Sequence, residues 1–313
     1  TPKPSSAASD VYKRQEYYLR GIIEIVFEKR MKLRVHEVLS FRKIPSEKEL
    51  RNEIKKKVEI AFNRANTLID APFAPVGNFP CVLSSSAGGT LIHEAIGHSL
   101  EIDSIYRGTS PVYAGKIGEK VASSSVTVID DPTIKFERGW YEYDGEGEKS
   151  KKVILIENGV LKDYLFDYYY ANKFGRKSNG HGRRESYKFP PLPRMGITYL
   201  KPGKMEPDEV ISILKKGLLV KKVGGGEVNT VNGDFVFEVE EGYWVENGKI
   251  KNPVKGATLI GNGPDILRKL KYIGNDFYLD SGTCGKMSQG VPVSSGIPTI
   301  YIDSITVGGS ERI

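Results

Sequence analysis

Residues 93–98 read His-Glu-Ala-Ile-Gly-His, and no other stretch constrains the fold as tightly. The 313-residue chain has only four histidines, and two of them sit around this one glutamate. Two imidazoles and a carboxylate suit a divalent metal, provided both rings reach one point. On an α-helix, histidines at i and i+4 lie about 400° apart and share a face. The i, i+5 spacing of His93 and His98 gives about 500°, which leaves the rings roughly 140° apart. A regular helix aims them poorly. Gly97 relaxes the backbone just before the second histidine, and one extra residue taken up in a π-bulge would bring the rings together. The spacing therefore predicts a distorted helix over 90–100. The alternative is a pair of half-buried histidines on an ordinary amphipathic helix.

Composition narrows the class. Charged residues at 27% and apolar ones at 39% are ordinary for a soluble globular protein, and 34 glycines with 17 prolines point to many turns. No apolar run approaches the ~18 residues needed to cross a bilayer, and the IIEIVF segment at 22–27 is broken by Glu24, so no membrane partner is expected. No secretory signal is visible at the start of the sequence. Cys81 and Cys284 lie far apart and suggest no disulfide framework, which favours a reducing, cytoplasmic setting. The net charge of +7 raises nucleic acid as a partner. However, the basic residues alternate with acids, as in Arg51-Asn52-Glu53-Ile54-Lys55, and that pattern reads as a solvated helix face. Nucleic-acid binding is not expected.

Residues 1–15, TPKPSSAASDVYKRQ, carry no hydrophobic period and read as a non-native tail. Two alternating runs within 17–44 predict a strand hairpin. Ser46 with Glu49 three residues on forms a capping box for a helix to Ile69, with apolar residues at Leu50, Ile54, Val58, Ala61 and Ala65. Two strands and one helix bury little core, so 16–72 reads as the remnant of a larger N-terminal α/β domain whose beginning is missing. The Leu50-Ile54-Val58 face of its helix is then expected to lie exposed. A proline-punctuated linker at 70–77 marks a boundary, and 73–313 reads as one C-terminal domain. In it, Pro80–Leu83 reads as a strand, and Asn158-Gly159 and Asn247-Gly248 are hairpin turns. Helices are expected over 207–216, with Gly217 at its end, and over 265–272. The expected class is α+β, with a β-rich body carrying a metal-binding helix, and no internal repeat is present.

A catalytic zinc site takes three protein ligands and leaves a position for water. Beyond His93 and His98, the candidates are Cys81, Cys284 and His181. Cys284 lies in Gly282-Thr283-Cys284-Gly285-Lys286, whose glycines would let a loop return close to another element. Cys81 sits in an apolar strand and reads as a small buried hydrophobe. His181 is beside Arg183 and Arg184, which would oppose a dication, and reads as a substrate-side or structural residue. The run Val223-Gly224-Gly225-Gly226-Glu227 lacks the helix and Lys-Ser/Thr of a phosphate loop. Gly225 instead marks a surface on which a peptide could lie against backbone.

The ordered blocks HEAIGHSLE, NGHGRRES, PLPRMG, VGGGEVNTVNGDFVFEV, ENGKIKNPVKGATLIGNG, GTCGKMSQGVPVSSGIPTI and ITVGG resemble the TldD/PmbA family of cytoplasmic metallopeptidases. Because the H-E-x-x-x-H is kept, the chain resembles the catalytic, TldD-like branch and not the PmbA/TldE-like branch that has lost it. The resemblance implies a metal on His93, His98 and Cys284, with Glu94 as catalytic acid/base. Family members often read RMTN where this chain has Arg194-Met195-Gly196-Ile197, so any substrate contact of that Thr-Asn pair is missing. The family's N-terminal region is also longer.

These readings together imply a zinc-dependent peptidase, although iron could take the same ligands. Metal-bound water would attack the peptide carbonyl, Glu94 would take its proton, and Arg194 or His181 would help hold the oxyanion. The donor atoms are expected within roughly 4 Å of one another. The expected substrate is an extended or unfolded peptide held by backbone pairing against glycine-rich edges. A homodimer, or a heterodimer with a PmbA/TldE-like sister subunit, is the expected assembly, with Tyr168-Tyr169-Tyr170 suited to an interface. The rival reading is a non-catalytic binding or scaffold subunit with a structural metal, its site closed by Glu101 or Asp103.

Overall fold

The computed structural model describes residues 19–28, 32–41, 43–229 and 231–309. The tail at 1–15 lies outside the described residues. Strands β1 (Leu19–Glu28) and β2 (Lys32–Phe41) pair antiparallel as the expected hairpin. Helix α1 (Glu47–Ile69) starts at the Ser46 cap, where Ser46 and Glu49 exchange both bonds of the capping box. Its inner face is carried by Ala61, Ala65 and Leu68, and Val35 of β2 packs with the two alanines. The large apolar residues Ile54, Val58 and Phe62 instead face outward, at 39%, 41% and 50% exposure. Small residues suit the inner face because Lys57 and Arg64 also turn inward, each reaching Glu37 of β2.

Two larger sheets make up the body. Strands β3 (Gly77–Leu83), β10 (Lys216–Asn229), β11 (Asp234–Glu246), β13 (Ala257–Asn262) and β16 (Ile300–Gly309) each pair with two others of these five, and together they close into a ring. Strand β12 (Lys249–Val254) hangs on β11 through the Asn247-Gly248 turn, where both residues have positive φ. The second sheet runs in the order β14-β15-β9-β4-β5-β6. Its members are β4 (Val128–Asp130), β5 (Val153–Glu157), β6 (Val160–Leu161), β9 (Ile197–Leu200), β14 (Tyr278–Lys286) and β15 (Gln289–Ile297). Short strands β7 (Gly182–Arg183) and β8 (Leu192–Pro193) pair beside it. Helices α2 (Ile102–Tyr106), α3 (Tyr168–Lys173), α4 (Pro207–Ser212) and α5 (Gly263–Lys269) are short. The chain is α+β with a β-rich body.

Three expected elements differ in detail. Helix α4 stops at Ser212, and Gly217 lies in β10 and not at a helix end. A side chain at 217 would put its Cβ 2.1 Å from the Pro80 carbonyl, so glycine there serves close strand approach. Helix α5 begins earlier than 265, because Asn262 caps it by accepting from the Asp265 amide. The glycine-flanked Cys284 segment is the edge strand β14 and not a loop.

Candidate metal centre

Residues Leu91–Gly97 form a π-helix, followed by a 3-10 turn over His98–Leu100. The His98 amide donates to the His93 carbonyl, the i to i+5 bond that defines this geometry. Five residues then close roughly one turn, so both imidazoles leave the same side. Their centroids are 5.0 Å apart with planes at 84°. Leu91, Ile92, Ala95 and Ile96 are buried on the opposite faces, which anchors the element between the two sheets. Gly97 keeps ordinary helical torsions, φ −61° and ψ −49°, so backbone relaxation is not its role. A Cβ at 97 would sit 2.0 Å from Met195 Sδ, and close packing is the reason for glycine there.

Cys284 arrives from β14, the edge of the second sheet. His98 Nε2 lies 3.4 Å from Cys284 Sγ, and one donor atom from each of His93, His98 and Cys284 falls within a 4.8 Å span. All three residues are buried or nearly so. Burial alone would push the Cys284 thiol up, but the bonds from His93 and His98 outweigh it and bring the pKa down to about 5. A thiolate is the form that binds a metal. Among the described residues, buried His93 Nδ1 has no hydrogen-bond partner. A thiolate and two imidazoles gathered in one spot fit a zinc-type ion. Cys81 is buried in β3, away from this cluster, with its thiol pushed up by burial.

Glu94 projects from the π-helix with its side chain 37% exposed, the most open of the motif's polar groups. Its carboxylate oxygens lie 4.0 Å from His93 Nε2 and 3.7 Å from His98 Nε2. It therefore stands beside the donor cluster and is not packed away behind it.

The other sequence candidates are placed differently. His181 is fully buried, set between the Asn179 carbonyl and Asp130 at 3.0 Å each. Asp130 also accepts from the Gly196 amide and Thr198, and burial, which would raise its carboxyl, is outweighed by these bonds. Arg194 is also fully buried and donates from Nη2 to the Cys284 carbonyl at 2.6 Å. Arg194 thus braces β14 at Cys284, His181 belongs to a buried cluster with Asp130, and neither offers a side-chain surface to solvent. Gly196 and Ile197 are buried as well. Gly225 lies exposed in an irregular stretch of β10, with open space where a Cβ would stand. Lys286 belongs to no recognisable ligand or catalytic motif in the sequence. It bonds to Glu101, Asp103 and the Pro193 carbonyl, and its position two residues after Cys284 was the available signal, since i and i+2 share a strand face.

A buried His-His-Cys cluster with an open carboxylate beside it, set between β-sheets, defines a candidate metal-binding protein. Residues 76–309 match the family described as the PmbA/TldA metallopeptidase C-terminal domain, and the chain belongs to this TldD/PmbA family. A metalloprotease TldD homolog of Buchnera aphidicola is 45% identical over 75% of this chain and 49% of its own length. A zinc metalloprotease TldD homolog of Saccharolobus solfataricus is 36% identical over 74% of this chain and 52% of its own. The crystal structure of TldE from Thermococcus kodakarensis superposes with a TM-score of 0.72 at 21% identity, covering 93% of this chain and 63% of that one, and so shares the fold. The chain spans about half the length of these curated relatives. No described helix is long and apolar enough to cross a membrane.

Proposed function

We propose that this chain carries the catalytic centre of a zinc-dependent peptidase acting on extended or unfolded peptides. The observation that carries the reading is the convergence of His93, His98 and Cys284 within 4.8 Å, beside Glu94. A zinc ion held by these three residues would lower the pKa of a bound water towards ~7 and polarise the scissile carbonyl. Glu94, with an exposed carboxylate, takes the proton from the attacking water and returns it to the leaving amine. His93 and His98 serve as neutral donors and Cys284 as the anionic one. Arg194, bound to the Cys284 carbonyl, steadies the strand that presents the thiolate. Glu101 and Asp103, the residues that would close the site and make the metal structural, are both held by Lys286, which supports the catalytic reading. The name of the Saccharolobus relative supports zinc over iron.

The substrate class follows from the position of β14. Among the described strands it pairs with β15 alone, so one long side is open to a further strand, and it carries Cys284 itself. At Gly285 the space a side chain would fill is open. An extended peptide added there is recognised by its main chain, next to the metal. The partner is a second copy or a TldE-like sister subunit, in line with the fold shared with TldE. Both cysteines are free, which supports a cytoplasmic setting.

Metal analysis of the purified protein and of Cys284→Ser tests the centre: about one zinc per wild-type chain and substantially less in the variant is expected. Hydrolysis is then read on one protein in folded and unfolded form. Equal zinc in both chains, or equal cleavage of both forms, rejects the respective part of the reading.

A further inference from the structure

We infer that Glu101, clamped by Lys286, is the positioning residue that orients His98 for the metal, an inference that rests on the zinc reading above. Glu101 is fully buried, and a carboxylate survives burial only when its oxygens are paired. His98 Nδ1–H donates to Glu101 Oε2 at 2.9 Å, and Lys286 Nζ donates to the same oxygen at 2.9 Å. The Met195 amide donates to Oε1 at 3.3 Å. The three protons of Lys286 likewise meet three acceptors: Glu101, Asp103 at 2.6 Å and the Pro193 carbonyl at 3.2 Å.

Once His98 is neutral, as a metal ligand must be, the commitment of Nδ1–H to Glu101 puts its lone pair on Nε2, the nitrogen that faces Cys284 Sγ. A carboxylate behind a ligand histidine fixes its tautomer and ring plane and raises its basicity. Cys284 and Lys286 share one face of β14, so a single strand brings both the thiolate ligand and the ammonium that holds Glu101. The strand is thereby tied to the His98 turn at two points. Lys286 also keeps Glu101 away from the open metal position. His93 has no such support among the described residues, where its buried Nδ1 is unpartnered. The centre is thus pre-organised on the His98 side only.

Zinc affinity, measured by chelator competition on the whole chain, decides the point, together with the absorption spectrum of the cobalt-substituted protein and the melting temperature of the metal-free protein. Glu101→Gln is expected to weaken zinc by about 10–100-fold and to shift the cobalt bands, beyond any lowering of metal-free melting that the broken buried pair with Lys286 causes. Wild-type affinity and spectrum in Glu101→Gln overturn the inference. So does a loss confined to metal-free stability, which would mark Glu101 as structural only. Should Glu101→Gln fail to fold, Glu101→Asp decides. It keeps the charge beside Lys286 but withdraws it from His98, and wild-type affinity there overturns the inference equally. His98→Ala separates the two readings. If it still binds zinc as wild type, the metal centre itself is wrong. If it loses zinc while both Glu101 variants keep it, only the positioning role falls.

Discussion

The His98 amide is hydrogen-bonded to the His93 carbonyl five residues earlier, and this one bond converts an unfavourable spacing into a shared face. In an α-helix the same amide would bond to Glu94, and the two rings would diverge by roughly 140°. The π-helix leaves Glu94 between the two histidines, its oxygens 3.7 and 4.0 Å from their Nε2 atoms. The two histidine ligand candidates and the acid/base candidate are therefore fixed by one turn of backbone.

Glu94→Gln separates chemistry from metal binding. The amide keeps the size of the side chain but cannot take a proton. Hydrolysis is expected to fall on the order of 10²-fold or more, with zinc content almost unchanged. Loss of zinc together with retained turnover in zinc-saturated buffer would show Glu94 to be a ligand and not a base.

Gly97→Ala tests the packing behind the turn. The new methyl would meet Met195 Sδ at 2.0 Å, and Met195 is itself fully buried. Overpacking of this kind costs about 1–3 kcal/mol, and here it also displaces His98. Urea unfolding and zinc content should both report the damage, and shortening Met195 to alanine in the same protein should recover part of each. A fully stable, fully loaded Gly97→Ala protein would contradict the packing argument.

Acid should loosen the contact of β2 and α1 with β10. Glu37 binds Lys57 at 2.9 Å, Arg64 at 2.7 Å and Lys222 at 3.1 Å. Burial raises its carboxyl, but these three cations more than offset that and bring it from 4.5 down to about 2. A depressed carboxylate contributes stability that is present above the ordinary value and lost as pH falls through the folded one. The expected loss therefore lies between pH 4.5 and about 2. Urea unfolding across this range should show a steeper pH slope for wild type than for Glu37→Gln. Identical slopes would remove Glu37 from the account.

Tyr168 and Tyr169 project from α3 at 64% and 56% exposure, while Tyr170 is buried against Tyr106. Exposed paired aromatics suit a subunit contact. For the whole protein, alone or mixed with a sister subunit, light scattering is expected to give a dimer, shifted towards monomer by the double change Tyr168→Ser, Tyr169→Ser. A wild-type chain that is monomeric and active at low micromolar concentration would reject the assembly and leave the metal chemistry untouched.

Much of the architecture was legible because its signals are local. The capping box at Ser46 and Glu49 and the Asn-Gly turns act within a few residues, so the sequence located them. The distortion of the motif helix was legible too, because the spacing of His93 and His98 demands it. Its cause was not: the role of Gly97 depends on Met195, nearly a hundred positions away. The outward turn of Ile54 and Val58 on α1 was expected only from the small size of the first unit. What directs it is the inward pull of Glu37 and Glu240 on Lys57 and Arg64, which no helical period encodes.

The sequence alone determined which residue types could bind a metal, which turns close the hairpins, and which family the chain resembles, since these depend on side-chain chemistry and short-range backbone preference. Only the tertiary structure decided that His181 and Arg194 are fully buried and that Cys284 lies on an edge strand. The same holds for Glu101 and Lys286, which reach each other at 2.9 Å across 185 positions. Such pairings depend on how sheets and helices stack, and burial makes each one specific because an unpaired charge there would be too costly to keep.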